Sequence, residues 1–232
     1  AKHFPFLSIL IPAYNEEQAI GSVLASLPKK LMGIDEIEVV VVDDGSWDNT
    51  HIVAKSYGAT VLRHMLNCGL GGAIGTGLAY AKATDADIAL TFDADGQHRI
   101  EDIAALLEPI VRGECDITLG SRFLGGADDI PWGRRMLLKS GVLFTRVFNR
   151  VRVTDTHNGL RAFSRRAAER IDLRLDRMAH ASELLDQIRA SGFAFREVPV
   201  RIRYTAYSLR KGQSARGAIR IVFHYLLGRI FP

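Results

Sequence analysis

The chain has 232 residues, of which 47% are hydrophobic and 24% charged, and its net charge is +4. This composition is typical of one ordinary folded domain and excludes a disordered or low-complexity protein. The two cysteines, Cys68 and Cys115, exclude a disulfide framework, and no run is long and apolar enough to span a bilayer.

Short aliphatic and β-branched runs alternate with helical patterns along the chain. The runs that predict buried strands span residues 7–12, 37–42, 60–62, 88–92 and 117–120. Apolar residues at helical spacing lie between them at Ala19, Val23, Leu27, Ile52, Val53, Ile103, Leu106, Leu107 and Ile110. This alternation predicts an α/β fold, a mostly parallel sheet flanked by helices. Ligands of such sheets bind at the carboxyl ends of the strands.

Polar residues follow three of the predicted strands at those ends. They are Tyr14, Asn15 and Glu16 after the first strand, Asp43, Asp44 and Ser46 after the second, and Asp93, Asp95 and Gln97 after the fourth. A single acidic strand end is commonly a helix cap, and Ser46 is a candidate cap for the helix that begins near Asp48. Three acidic ends at one side of a sheet favour a ligand site instead.

Asp93 and Asp95 are separated by one residue, so an extended backbone would point both side chains to the same face. Like charges placed in this way repel each other, and a divalent cation between them and a diphosphate relieves the repulsion. Mg²⁺ and Mn²⁺ prefer such oxygen ligands, and the Gln97 carbonyl is a further candidate. The alternative is a loop in which the two aspartates only make turn hydrogen bonds.

Five segments carry a resemblance to a known family. They span residues 11–16, 42–46, 93–98, 120–122 and 155–161, in the family's order and over nearly the whole chain. In them the sequence resembles the family 2 glycosyltransferases of the GT-A fold. The branch it resembles includes dolichyl-phosphate mannose synthase and bacterial polyprenyl-phosphate glycosyltransferases. The resemblance implies a GT-A domain, which we expect over residues 1–214; the remaining residues, 215–232, are expected to form a separate helix on the pattern described below.

The resemblance also implies roles for single residues. The donor nucleotide-sugar would be bound by Pro12, Ala13, Tyr14, Asn15, Glu16, Asp43, Asp44, Asp93 and the pair Arg134 and Arg135. The metal ligands would be Asp95 and Gln97, and Asp93, Asp95 and Arg122 would carry the catalysis. The sequence departs from the family at Leu70, where many relatives have lysine, and at Asn158, where serine is usual.

The implied reaction is an inverting transfer of a hexose from a UDP- or GDP-linked donor to a polyprenyl phosphate, with Mg²⁺ or Mn²⁺ as cofactor. A phosphate acceptor is already largely ionised near neutral pH, so the reaction needs no strong general base. It does need arginine, which binds phosphate bidentately, and Arg122, Arg161 and Arg203 are the candidates. The alternative within the family is a soluble or saccharide acceptor.

The last part of the chain is basic. No acidic residue follows Glu197, and the basic residues beyond it are Arg201, Arg203, Arg210, Lys211, Arg216, Arg220 and Arg229. Residues 215–232 have the pattern of a basic amphipathic helix, and a second acid-free basic stretch runs from 134 to 152. Such helices lie on anionic membranes, although each apolar face could equally pack on the protein's own sheet. We expect a cytoplasmic protein, peripheral on the inner face of the membrane.

Parts of the sequence also suggest two other classes of protein. The glycines at 69, 71, 72 and 75 suggest the phosphate loop of an NAD(P)-dependent oxidoreductase, but they follow the third strand and leave Asp93 and Asp95 unexplained. We expect them to allow close backbone packing instead. A pI near 9.2 suggests a nucleic-acid-binding module, yet an acidic sheet edge repels phosphate and no such motif is present. We expect no nucleic-acid partner, and the sequence makes no prediction of oligomeric state.

Overall fold

The computed structural model describes residues 5–125, 136, 142, 151–173 and 179–203. The strands in these ranges are β1 (Phe6–Ala13), β2 (Glu36–Asp43), β3 (Thr60–Arg63), β4 (Ile88–Thr91), β5 (Ile117–Ser121), β6 (Arg161–Ser164) and β7 (Phe195–Pro199). The helices are α1 (Ile20–Ser26), α2 (Thr50–Ser56), α3 (Gly69–Ala83), α4 (Glu101–Val111), α5 (Arg122–Gly125), α6 (Arg165–Arg170) and α7 (Ala179–Ser191).

These strands form one sheet in the order β3-β2-β1-β4-β6-β5-β7. The four pairings β3·β2, β2·β1, β1·β4 and β5·β7 are parallel, whereas β6 runs antiparallel to both β4 and β5. The predicted α/β fold with a mostly parallel sheet is therefore confirmed, as are its five predicted strands. β6 and β7 were not predicted.

The sheet is covered by an apolar layer on each face. Because side chains alternate along a strand, β1 directs Leu7, Ile9 and Ile11 into one layer and Leu10 into the other. The first layer includes buried residues of α1, α2 and α4, and the second includes those of α3, α6 and α7. The neighbouring parallel strands β2, β1 and β4 therefore lie between two apolar layers, and their carboxyl ends share one side of the sheet.

The glycine-rich run opens α3 as helix and does not form a loop. A Cβ added at Gly77 would lie 3.1 Å from Cδ1 of Leu10 on β1, and one at Gly75 would lie 3.2 Å from the Leu173 carbonyl oxygen. The glycines thus let α3 pack closely on the sheet and on its neighbours. This arrangement agrees with the predicted packing role and gives no support to a dinucleotide loop.

Several predictions from the sequence fall outside the described residues. They concern Arg134, Arg135, most of the basic stretch 134–152, and the amphipathic helix over 215–232 with its boundary at 214. In the part of the chain that the structure describes, no helix has both the length and the apolar character needed to cross a membrane.

Candidate active site

The carboxyl ends of β1, β2 and β4 lie side by side, because these strands are parallel neighbours in the sheet. We call this side the carboxylate edge. It carries Asp43 as the last residue of β2, and Glu16, Asp44, Asp93 and Asp95 in the loops that follow the three strands. The meeting of the three acidic strand ends at one edge is as the sequence predicts.

The β1–α1 loop is tied to the loop after β2. The backbone N–H of Asn15 donates to Oγ of Ser46 at 2.9 Å, and that of Trp47 donates to Oδ1 of Asn15 at 3.1 Å. Asn15 has a φ of 54°, a left-handed conformation that asparagine tolerates better than most residues. Ser46 does not cap α2, because the N-cap of that helix is Asn49. Its hydroxyl instead positions the loop that presents the half-exposed ring of Tyr14.

Asp43 and Asp44 are both buried and both hold backbone. Asp43 accepts from the backbone N–H of Ser46 at 3.0 Å and lies 3.2 Å from Nε of Arg63. Asp44 accepts from the backbone N–H groups of Cys68 and Gly69, each at 2.8 Å. Asp44 therefore fixes the start of α3 against the end of β2.

Asp93 and Asp95 lie in a turn, since β4 already ends at Thr91. The extended backbone assumed for the pair from the sequence is therefore wrong. Oδ2 of Asp93 lies 2.8 Å from Nε2 of the buried His98. Asp95 accepts from the backbone N–H of Gln97 at 3.0 Å, and the Gln97 side-chain amide contacts its other oxygen.

The two aspartates differ in their electrostatic environment. Burial raises the pKa of Asp93, but the ion pair with His98 and the charges of Arg161 and Arg122 outweigh it, so this pKa lies below its ordinary value. The pKa of Asp95 lies above its ordinary value, because burial and the negative charge of Asp93 both disfavour its ionisation. Asp93 therefore favours its ionised form, whereas burial and the charge of Asp93 disfavour the ionised form of Asp95.

These residues fit the divalent cation that the family implies. The repulsion between Asp93 and Asp95 is the interaction that a bound cation would relieve. The side-chain amide nitrogen of Gln97 donates to Asp95 in this structure, so its amide oxygen would have to turn towards a bound ion. In the described ranges, no lysine or arginine lies within ion-pair distance of Asp95. In the same ranges, the hydrogen bonds that Asp95 accepts come from Gln97.

Arg122 and Arg161 are buried beneath this loop. Nε of Arg122 donates to Oδ2 of Asp155 at 2.6 Å, and its backbone N–H donates to the same oxygen at 3.1 Å. Arg161 donates to the carbonyl oxygens of Asn158 at 2.9 Å and Thr156 at 3.2 Å. Burial lowers the pKa of Arg161 to about 10, although Asp93 and Asp155 oppose the change. Both arginines hold the segment 155–159, and their predicted contact with an acceptor phosphate stays a prediction.

The segment 154–159 in turn supports Asp93. The hydroxyl of Thr91 donates to the Gly159 carbonyl oxygen at 2.6 Å, and the Cα of Gly159 faces the Asp93 carboxylate. At the other end, Glu197 on β7 accepts from the backbone N–H of Thr154 at 2.8 Å and from its hydroxyl at 2.8 Å. Sequence reasoning missed Glu197, whose only signal was its place as the last acidic residue.

The turn over residues 93–98, which we call the aspartate turn, is also hydrogen-bonded to residues 202 and 203, at the start of the basic C-terminal part. His98 and Ile202 form an antiparallel bridge, and the backbone N–H of Arg203 donates to the Gln97 carbonyl oxygen at 2.9 Å. The side chain of Arg203 is exposed beside this turn. Of the three predicted phosphate-binding arginines, it is the one whose side chain reaches solvent.

An α/β fold with an acidic sheet edge that suits a divalent cation fits the class of nucleotide-sugar transferases. Residues 8–172 match the family model Glycosyl transferase family 2. An uncharacterised protein of Methanocaldococcus jannaschii is 38% identical over 96% of this chain and 92% of its own length. UDP-N-acetylglucosamine--dolichyl-phosphate N-acetylglucosaminyltransferase of Methanococcus voltae is 32% identical over 94% of each chain.

Among solved structures, glucosyl-3-phosphoglycerate synthase of Mycobacterium tuberculosis superposes with a TM-score of 0.72 at 24% identity. The match covers 97% of this chain and 80% of that one. At this identity the likeness shows a shared fold. The family match and the relatives show more: the chain belongs to glycosyltransferase family 2 and is a glycosyltransferase.

Proposed function

We propose that the protein transfers a hexose from a nucleoside diphosphate donor to a polyprenyl phosphate, with inversion at the anomeric carbon. The observation that carries this proposal is the pair of neighbouring carboxylates, Asp93 and Asp95, at the edge where β1, β2 and β4 end. The acceptor class is supported by the relative from Methanococcus voltae, whose name specifies dolichyl phosphate.

The donor would lie along the carboxylate edge. Tyr14, Glu16 and Asp44 would flank the base and ribose; in support, the loops that bear them are joined through Ser46. Asp95 and Gln97 would hold Mg²⁺ or Mn²⁺, which supplies Lewis-acid stabilisation of the departing diphosphate. Asp93 would stay ionised beside them, because His98 and the buried arginines stabilise its charge.

The acceptor phosphate would bring its own nucleophilic oxygen, so no side chain has to remove a proton. Arg203 would attract that phosphate; in support, its side chain is exposed and its backbone N–H donates to the Gln97 carbonyl oxygen. Arg122 and Arg161 would act on the reaction through the segment 155–159 and through their positive field at Asp93. For Arg122 to contact phosphate directly, its ion pair with Asp155 would have to break. For Arg161 to do so, its hydrogen bonds to the carbonyl oxygens of Asn158 and Thr156 would have to break.

A transfer assay tests this proposal. Radiolabelled UDP- and GDP-sugars are incubated with Mn²⁺ and a polyprenyl phosphate in detergent, and the label is then extracted into organic solvent. We expect label in the organic phase with one donor class, and none with a chelator or with Asp95→Ala. Transfer to a soluble acceptor alone would move the assignment to the alternative within the family. Near-normal turnover by a folded Asp95→Ala variant would refute the role of Asp95.

We also propose peripheral attachment to the inner face of the membrane. The sequence beyond Glu197 carries seven basic residues and no acidic one, and juxtaposed basic residues attract anionic headgroups. Sedimentation with vesicles tests it: binding should need anionic lipid and should weaken as salt rises. Equal recovery with neutral and anionic vesicles at low salt contradicts the proposal.

A further inference from the structure

A second group of metal-ligating side chains lies at the other side of the carboxylate edge, where β2 and β3 end. It comprises Asp44 after β2, His64 after β3 and Cys68 just before α3. One carboxylate oxygen, one ring nitrogen and the sulfur lie within 4.8 Å of one another. Asp44 and Asp95 follow strands separated by β1, so two strand spacings, about 10 Å, divide this group from the aspartate turn.

The ligand types differ from those of the aspartate turn. A thiolate and an imidazole are the ligands that Zn²⁺ and similar thiophilic ions select, whereas Mg²⁺ and Mn²⁺ prefer oxygen. In a tetrahedral zinc site, bond lengths of about 2.0–2.3 Å place the ligand atoms roughly 3.3–3.6 Å apart. Nδ1 of His64 now lies 2.7 Å from Oδ1 of Asp44. The sulfur belongs to an exposed side chain, so shifts of about 1 Å bring the three into coordination distance.

The surroundings of His64 suit metal binding. Its Nε2 lies 2.9 Å from the hydroxyl of Thr76 on α3. A hydroxyl can donate or accept a hydrogen bond, so Thr76 serves the ring in either tautomer. When an ion takes Nδ1, the proton moves to Nε2 and is donated to Thr76, which is how bound histidines are usually oriented.

The other two ligands are also held in place. Asp44 is fixed by the backbone N–H groups of Cys68 and Gly69 at 2.8 Å. Gly72 faces Cys68, since a Cβ added there would lie 2.9 Å from the Cys68 Cβ. Gly45 has a φ of +70°, and a Cβ there would lie 2.8 Å from the Asn67 nitrogen. These glycines keep the two loops close enough for their side chains to share one ion.

We propose that Asp44, His64 and Cys68 form a binding site for one thiophilic divalent cation such as Zn²⁺, with the fourth position open to solvent. Binding releases the thiol proton of Cys68, while His64 loses a proton from Nδ1 and gains one on Nε2. One proton is therefore released for each ion bound. Because Asp44 belongs to the proposed donor site, the ion would exclude the nucleotide; this consequence alone rests on the proposed function.

Titration of the full chain with Co²⁺ and Zn²⁺, without nucleotide, tests the site. Co²⁺ bound by Cys68 produces a near-ultraviolet thiolate charge-transfer band, which Zn²⁺ should displace with a stoichiometry of one. We expect Cys68→Ser to abolish the band and weaken Zn²⁺ binding at least tenfold. The matched control is Cys115→Ala, at the other cysteine, which is buried and should leave the band intact.

Asp95→Asn separates this site from the aspartate turn and should also leave the band intact. A band of normal strength in Cys68→Ser, or its loss in Asp95→Asn, overturns the proposal. Zn²⁺ affinity unchanged in Cys68→Ser overturns it as well, because surface histidines would then account for the binding. Since these measurements need no donor or acceptor, they stand apart from the outcome of the transfer assay.

Discussion

The carboxylate of Asp93 faces the backbone of Gly159 so closely that a Cβ at position 159 would lie 2.6 Å from its Oδ2. The segment 154–159 is held from behind by Arg122, Arg161 and Glu197. The segment cannot move away from Asp93 without breaking these hydrogen bonds. The geometry of the aspartate turn therefore depends on a residue that carries no side chain and on a segment more than sixty positions away.

Replacement of Gly159 by alanine should displace Asp93. A shift of about 1 Å in a reacting site can cost about 10²-fold in rate, so we expect Gly159→Ala to lower turnover by about that factor. The measurement is the transfer assay at saturating donor, with circular dichroism to confirm the fold. Gly75→Ala is the matched control, because its new Cβ would meet Leu173 and not an aspartate. Equal losses in both variants would contradict the argument.

Removal of the Asp95 charge should separate stability from ligand binding. The raised pKa of Asp95 means that its ionised form is disfavoured in the folded protein, so Asp95→Asn should unfold at the same or a higher temperature without metal. Wild type should gain about 2.7 kcal/mol from the Mn²⁺–nucleotide complex at about 100 times its dissociation constant. The variant should gain much less. Thermal unfolding with and without both ligands gives the comparison, and an equal ligand-induced shift in the variant contradicts it.

The carboxylate edge could be predicted because parallel strands have a simple consequence. Once five strands are recognised, the residues after β1, β2 and β4 must lie at one side of the sheet. The partners of those residues could not be predicted in the same way. Arg122 donates to Asp155, which lies 33 positions away in the sequence. No local sequence pattern distinguishes an arginine that forms a buried ion pair from one that binds a phosphate ligand.

β6 and β7 escaped prediction for a related reason. β6 begins with Arg161, whose side chain is buried, and β7 has the sequence FREVP, with two charged residues in five. Neither has the aliphatic run that identified the other strands. β6 pairs antiparallel with both β4 and β5. These long-range pairings make the segment a strand, although its composition alone does not predict one.

The ion pair of Arg122 and Asp155 should be costly to break and cheaper to replace. Both side chains are nearly inaccessible to solvent, and removal of one member of a buried pair typically costs about 3–5 kcal/mol. We expect Arg122→Met and Asp155→Leu each to lower the free energy of unfolding by an amount of that order. The double variant should lose less free energy of unfolding than the two single variants lose when their losses are added. Urea unfolding of all four proteins gives the coupling energy, and strict additivity would show that the pair contributes nothing.

The acid stability of the segment 154–159 should depend on His157. Burial lowers the pKa of this imidazole to about 4, with the charges of Arg122 and Arg161 acting in the same direction and Asp155 opposing them. The unfolded chain protonates the same ring near 6.5, so between these values the unfolded state binds more protons. The stability contributed by the neutral ring is complete above about pH 6.5 and is lost as the pH falls towards 4.

His157→Gln should remove this dependence, because glutamine does not titrate. Between pH 6.5 and 4.5, wild type should lose stability relative to the variant by roughly 1 kcal/mol per pH unit. Urea unfolding of both proteins at several pH values measures the difference, and NMR titration of the His157 ring gives the pKa directly. Parallel stability curves, or a ring that titrates near 6.5 in the folded protein, would show that the imidazole is hydrated and that the segment is not sealed around it.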